Sequence, residues 1–324
     1  MRQTQPPPGL PKNVSQTLHC AYHDSTTQSI DQLGQLHASA LAAQPQQTAT
    51  GALLHTCHRI EWYSAGPVDG DTPTLAGAQT LTGYRPVVDR IAQIAAGCRS
   101  LIPGDRFVQG QVASVFEALP DEHPLRDAAD SALALARQAR TRFTLVADVD
   151  YPQLAGLLLT QQHAGDADRG LPLLIIGGGS LARACARSLG AQRRVIMVTR
   201  QPKRLRRSLR YSGTCPQVVT VAQAVEATNG HSFEAILATT LGHAAHHDTV
   251  LKLLSADGCR AVVDLCTVPL RLERPGYTHL HAPQVLDTIA RANQRTAVRA
   301  AQAARWISAQ TAELAARQSL HARL

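Results

Sequence analysis

LPLLIIGGGSLARACARSLG, residues 171–190, is the stretch on which the fold turns. Leu173 to Ile176 form a short apolar run closed off by Pro172 and Gly177, which reads as a buried strand. Gly177-Gly178-Gly179-Ser180-Leu181-Ala182 then fits the pattern GxGxxA, and the residues after it open a helix. That context, strand then turn then helix, is the one in which the pattern signifies dinucleotide binding. Gly177 permits the tight turn. Gly179 lets backbone amides approach a pyrophosphate at the helix N-terminus, and Ala182 keeps helix and strand close.

Downstream the texture repeats. VIMVT (195–199), AILATT (235–240) and AVVDLCTV (261–268) read as a second, third and fourth strand, with helical segments between them. Strands alternating with helices predict a parallel, doubly wound α/β domain over residues 151–283. The second strand runs into Thr199-Arg200-Gln201-Pro202-Lys203-Arg204, which holds three cations and no carboxylate. A ribose 2′-phosphate is welcomed by such a segment and repelled by an acid, so the expected cofactor is NADPH. Thr199, Arg200 and Lys203 join Gly177–Ala182 as the candidate cofactor site. A helix over 152–163 leads into this domain. An alanine- and arginine-rich stretch over 284–324 reads as one long C-terminal helix, with Ile289, Ala292, Ala300, Ala303, Ala304 and Ile307 near helical spacing.

Residues 15–150 read differently, as an α+β domain. Strands are expected at 16–24, 51–57 and 60–66, and helices at 26–44, 86–97, 108–119 and 125–142. A Gly-, Pro- and Thr-rich loop is expected at 65–83. Residues 1–14, rich in proline and without an apolar core, read as a disordered leader rather than a secretory signal. No apolar run approaches the roughly 18 residues of a membrane helix, so a cytoplasmic location is the default. The formal charge is +8, and the 32 basic residues include only Lys12, Lys203 and Lys252 as lysines. Such a surface favours anionic partners, although no basic run with interleaved aromatics marks a dedicated RNA module. The seven cysteines are odd in number and lack CxxC spacing, which argues against a disulfide framework or a zinc knuckle. His243 and His247 could share a helix face, but no glutamate accompanies them, so no metal site is expected. Cys57 stands at a strand end in His55-Thr56-Cys57-His58-Arg59, where neighbouring cations would stabilise a thiolate. A buried structural cysteine is the competing reading of that local pattern.

HTCHRIEWY (55–63) resembles the STCNRTEIY segment of glutamyl-tRNA reductases. Other segments match that family in the same order: AAGCRSLIPGDRFVQGQV (95–112), the glycine-rich turn with its helix, VTR (198–200), VVDLCTVP (262–269) and, more weakly, YHDST (22–26). The resemblance implies that Cys57 is a nucleophile that takes an acyl group from an aminoacyl-tRNA as a thioester. NADPH then reduces the thioester to an α-amino aldehyde, as in tetrapyrrole-precursor chemistry. It also implies substrate contacts at Thr56, Arg59, Glu61, Arg90, Ser100, Asp105 and Gln111. The chain departs from the family at Arg90, where a histidine is usual, at His58, where asparagine is usual, and at Phe107, where glutamine is usual. Family members continue past the long helix into a dimerisation domain, whereas these residues end at Leu324. A monomer and a homodimer through the C-terminal helix are both open, with neither membrane nor DNA as partner. Reduction of another acyl donor, such as a carrier-protein thioester, and a non-catalytic cofactor-binding role remain the alternatives.

Overall fold

A computed structural model describes residues 17–29, 32–36, 47–48, 51–56, 58–66, 75, 77–162, 170–209, 216–239, 244–270 and 272–321. The chain divides into two compact units, Met1–Asp148 with Ala292–Leu324, and Val149–Arg291. The expected leader at 1–14 lies outside the described residues, as does most of the helix expected at 26–44, of which residues 32–36 are helical.

The first unit is built on an antiparallel sheet of β1 (Leu18–Asp24), β2 (Gln47–Thr48), β3 (Gly51–Thr56), β4 (Arg59–Ala65) and β5 (Gln79–Thr82), in the order β2-β3-β4-β1-β5. Helices α1 (Tyr84–Ala95), α2 (Phe107–Glu117) and α3 (Pro124–Arg142) pack with it around one core. Leu18, Leu54 and Tyr63 from the sheet meet Ile91, Ile94, Val112 and Phe116 there. Tyr63 and Phe116 touch edge to face with ring centroids 5.3 Å apart. Strand β5 falls inside the segment expected to be a loop. Its residues QTLT carry no apolar alternation, and it exists because it pairs with β1 at the sheet edge, His19 opposite Thr82.

The second unit holds α4 (Tyr151–Gln162), β6 (Leu173–Ile176), α5 (Ser180–Leu189), β7 (Val195–Val198), α6 (Pro202–Leu209), β8 (Gln217–Val219), α7 (Val221–Thr228), β9 (Phe233–Leu237), α8 (Ala244–Leu254), β10 (Cys259–Asp264), β11 (Tyr277–His279) and α9 (Pro283–Ala292). Its six-stranded sheet runs in the order β11-β10-β9-β6-β7-β8, and every pairing is parallel. Counted from the first strand of the sheet, this is the 3-2-1-4-5-6 order of the Rossmann fold. The central strands β6, β7 and β9 are buried along their whole length, as strands covered on both faces must be. The edge strands β8 and β11 have three residues each and no sequence signal of their own.

The long C-terminal helix is interrupted. Helix α9 ends at Ala292 and α10 spans Gln294–His321. Asn293 between them is buried, and its carbonyl accepts the amide of Ala297 at 2.8 Å, so it begins α10 as a helix-capping residue does. In the first unit α10 lays Ala300, Ala303, Ile307 and Leu314 into the core and ties to α1 through polar bonds. Ser308 Oγ donates to Asp89 Oδ1 at 2.8 Å and Gln93 Nε2 donates to Ser308 Oγ at 3.1 Å.

Candidate functional site

The C-terminal ends of β6, β7 and β9 frame a cleft of about 550 Å³ at the point where the strand order reverses, between β6 and β9. Ligands of open parallel sheets bind at such switch points. Gly177 makes the turn with φ +139°, and a Cβ there would stand 2.3 Å from the carbonyl oxygen of Ala238. Only glycine satisfies both conditions. Gly179 is the N-cap of α5 and contributes no side-chain cap, and a Cβ on it would meet nothing within 4 Å. The first N–H groups of α5 therefore rise beside open space, the arrangement that receives an anionic pyrophosphate. Ala182 is buried against the turn, 3.3 Å from the Cβ that Gly177 lacks.

Gly177, Gly178, Gly179, Thr199 and Arg200 all line this cleft, joined by Arg183, Gln201, Arg204 and Thr239. Among the described residues, three arginines and no carboxylate stand in the lining. Lys203 is exposed on the first turn of α6 and does not line the cleft, and neither do Ser180 and Leu181 on the first turn of α5. Arg183 was not singled out in the sequence, and Arg204 was counted among the cations after the second strand but not named as a cofactor contact. Arg183 sits one turn after Gly179, its Nε 3.3 Å from the Gly179 carbonyl, and Arg204 leans on Gln201 Oε1 at 3.4 Å. Both could have been found by asking which side chains a helix projects one turn beyond the glycines and beyond Arg200.

The first unit gathers a buried charge cluster. Thr56 and Arg59 form the last register pair of β3 and β4, and Cys57 lies outside the described residues. Arg90, from α1, donates from Nε to Glu61 Oε2 at 3.0 Å and from Nη2 to Glu61 Oε1 and Asp24 Oδ2, each at 2.8 Å. Its guanidinium also covers the Tyr22 ring at 3.3 Å from the centroid. Tyr63 Oη donates to Glu61 Oε2, and Thr26 donates to Asp24 Oδ1 from its amide at 2.9 Å and its hydroxyl at 2.5 Å. Burial pushes the Asp24 carboxyl up, but bonds from Thr26 and Arg90 outweigh it and hold the carboxyl below its ordinary range. Burial works against the Arg90 cation too, yet the charge and bonds of Glu61 prevail and raise it.

Arg59 is arranged otherwise. It is buried, it donates from Nη2 to the Arg99 carbonyl, and its Nε stands 4.0 Å from Glu61 Oε1. Among the described residues its Nη1 has no hydrogen-bond partner. Desolvation lowers its basicity in spite of Glu61. The Arg99 contact brings the segment 96–106 against Arg59. Arg140 staples that segment by donating from Nη1 to the Ala96 and Asp105 carbonyls at 3.0 Å each and from Nη2 to the Gly104 carbonyl at 3.2 Å. Gly97, at φ +80°, is the sharp point of the same loop. Asp105 Oδ1 accepts the Phe107 amide at 2.8 Å and so starts α2. Ser100 on the loop and Gln111 on α2 are half-buried.

Sequence reasoning thus found Arg59, Glu61 and Arg90, which the fold brings together, and missed Asp24, Tyr22 and Tyr63, which complete their bonding. The histidine nearest Cys57 on β3, His55, is held in its neutral form by burial, so cationic help for a thiolate does not come from it. Burial also pushes the thiols of Cys98 and Cys259 up to about 11 and that of Cys185 up to about 12, and raises Cys20 further. None of these four is a ready thiolate at neutral pH. Among the described residues, no group of three or more His, Cys, Asp or Glu side chains could hold a metal ion. No helix among them is long and apolar enough to cross a membrane.

No family model matches the chain. It is 28% identical over 256 residues to protein nfe2 of Rhizobium meliloti, covering 75% of this chain and 81% of that protein. It is 24% identical over 221 residues to a glutamyl-tRNA reductase of Halobacterium salinarum, and 27% identical over 216 residues to that of Chloroflexus aurantiacus. These alignments cover 61% and 58% of this chain and 50% and 49% of the reductases, so the chain spans about half the length of the reductases it matches. Among solved structures, a glutamyl-tRNA reductase from Methanopyrus kandleri aligns over 94% of this chain and 80% of its own, with a TM-score of 0.43 and 17% identity.

Proposed function

With the chain a divergent relative of the glutamyl-tRNA reductases, we propose that it is an NADPH-dependent reductase that draws an acyl group from an aminoacyl-tRNA onto Cys57 and releases it as an α-amino aldehyde. The observation that carries this reading is the dinucleotide cleft lined by three arginines and no carboxylate. When bound, NADPH supplies a hydride to an acyl carbon. The residues present fit it: the N-terminus of α5 and Gly179 would take the pyrophosphate, and Arg200 with Arg204 the 2′-phosphate. In this reading the Cys57 thiolate attacks the ester carbonyl, a C–S bond forms, and the C–O bond to the ribose breaks with a proton passing to that oxygen. The thioester so held on Cys57 is the acyl group that the cofactor's hydride would reduce, and the cysteine sulfur would leave as the thiolate. Arg59, the cation nearest Cys57 in sequence, favours the thiolate form. The basic surface suits an RNA-borne substrate.

Incubation with NADPH and a panel of charged tRNAs tests the reading. NADPH oxidation and a covalent acyl adduct by intact mass are expected, both lost in Cys57→Ser. Turnover unchanged in that variant refutes the nucleophile assignment. The second reading, another acyl donor such as a carrier-protein thioester, is favoured by one observation, the capture of Glu61 and Asp24 by Arg90.

A further inference from the structure

The positive charge of the chain is concentrated in one place. Residues 169–225 hold eleven cations and no acid, while the whole chain stands at +8, so the remainder is net negative. This stretch runs through β6, α5, β7, α6 and β8, one half of the parallel sheet. Several of its cations are engaged at other places. Arg193 pairs with the buried Glu234, and Arg183, Arg200 and Arg204 line the dinucleotide cleft. Lys203, Arg206 and Arg207 on α6 lie outside the cleft, and all three are exposed. Arg206 is steadied by donating from Nη2 to the Val218 carbonyl at 2.6 Å. At helical spacing Lys203 and Arg207 stand one turn apart on the outward side of α6, with Arg206 beside them and the buried Leu205 and Leu209 opposite. Side chains one turn apart leave a helix about 5–6 Å from each other, a spacing that neighbouring phosphates of one strand can meet.

What this face lacks decides its partner. Among the described residues, no large hydrophobic side chain is exposed between 170 and 220, and that stretch holds no aromatic ring. A protein interface is built on an aromatic or apolar centre and is poor in lysine. Unpaired bases are held by stacking on rings. Arginines and a lysine with neither suit the phosphates of a nucleic-acid backbone, which are contacted without regard to sequence. We infer that Lys203, Arg206 and Arg207 on the outward face of α6 hold the phosphate backbone of a base-paired RNA stem, outside the dinucleotide cleft. This assignment rests on the reading of the chain as acting on an RNA-borne acyl group, and it gives that RNA a docking surface on the second unit.

Fluorescence anisotropy on the full chain tests it, with labelled RNA stem-loops of about 12 base pairs in two unrelated sequences. The two are expected to bind within about threefold of each other, and Kd should rise with salt with a log–log slope of about 3, near one for each cation. Arg207→Glu should weaken RNA binding about tenfold or more at about 0.1 M salt and lower the slope by about one, while NADPH affinity in a separate titration stays the same. Lys203→Gln should weaken RNA binding in the same direction. RNA affinity unchanged in Arg207→Glu, or NADPH affinity falling as far as RNA affinity in that variant, overturns the assignment. Tighter binding of poly-L-glutamate, or of a DNA duplex of the same sequence, overturns the choice of partner. If the stems bind as described and no charged tRNA is reduced, the reductase reading fails and the RNA surface stands. If Arg207→Glu reduces a charged tRNA with unchanged KM, the reductase reading stands and the surface fails.

Discussion

Arg90→Met removes the cation that holds two buried carboxylates. Glu61 is fully buried and Asp24 is 6% exposed, so the variant leaves two charges with far weaker compensation. Removing one partner of a buried ion pair costs about 3–5 kcal/mol, and a unit of this size loses about 2–4 °C in Tm per kcal/mol. A drop of about 6–20 °C at pH 7.5 is expected. The pH dependence distinguishes this cause from simple loss of packing. In the unaltered protein the Asp24 carboxyl is held below its ordinary range. Its stabilising share is therefore present above the unfolded value near pH 4 and lost as pH falls through the folded value. Without Arg90, burial dominates and raises the carboxyl, so the penalty is full when the group is ionised and relieved as it takes up a proton. The deficit of Arg90→Met should be largest at pH 7.5 and shrink toward pH 5. Thermal melts followed by circular dichroism at the two pH values measure it. A deficit that is absent, or equal at both, refutes the account of Arg90 as the keeper of these charges.

Other outcomes follow from the same geometry. Arg200→Ala and Arg204→Ala should each weaken NADPH binding about tenfold and leave NADH unchanged, since one charge-assisted phosphate contact is lost; equal effects on both cofactors in a fluorescence titration would remove the 2′-phosphate assignment. Gly177→Ala places a Cβ 2.3 Å from the Ala238 carbonyl oxygen, and NADPH binding should fall below detection. Arg140→Met breaks three bonds to the segment 96–105; the Gly104 amide, which donates to Gly97 O at 3.1 Å, should exchange with deuterium at least tenfold faster, and an unchanged rate would show that the loop holds itself.

The dinucleotide unit was legible because its signals are local. Four-residue apolar runs, a glycine pattern with a positional meaning and the helix after it lie within one window of about twenty residues. What stayed illegible there were β8 and β11, three residues each, formed by pairing rather than by their own composition. The same holds for β5, whose exposed QTLT reads as loop until β1 lies beside it. The break at Asn293 was hidden by helical spacing on both sides, although asparagine competes for backbone bonds and favours helix starts. In the first unit, Arg59 and Glu61 were legible two residues apart on one strand. Asp24, 37 positions before Glu61, and Arg90, 29 after it, join them only through the β1–β4 register and the placement of α1. Charge networks closed over such separations have no signature in any window.

Arg90 also decides what kind of chemistry position 90 can supply. An imidazole there would make at most two hydrogen bonds and exchange its proton near neutral pH. The guanidinium makes three bonds to two carboxylates and never deprotonates in the working range. The same bonds that fix Glu61 and Asp24 therefore remove position 90 from proton transfer. Ester cleavage by a thiolate still requires a proton for the leaving oxygen. In the proposed reaction that proton comes from a group other than residue 90, such as water or His55, whose imidazole burial disfavours as a cation and so leaves able to accept the thiol proton and return it. A pH–rate profile carrying an ionisation lost in His55→Gln would assign the duty to the histidine. A profile that His55→Gln leaves unchanged would take the duty away from the histidine.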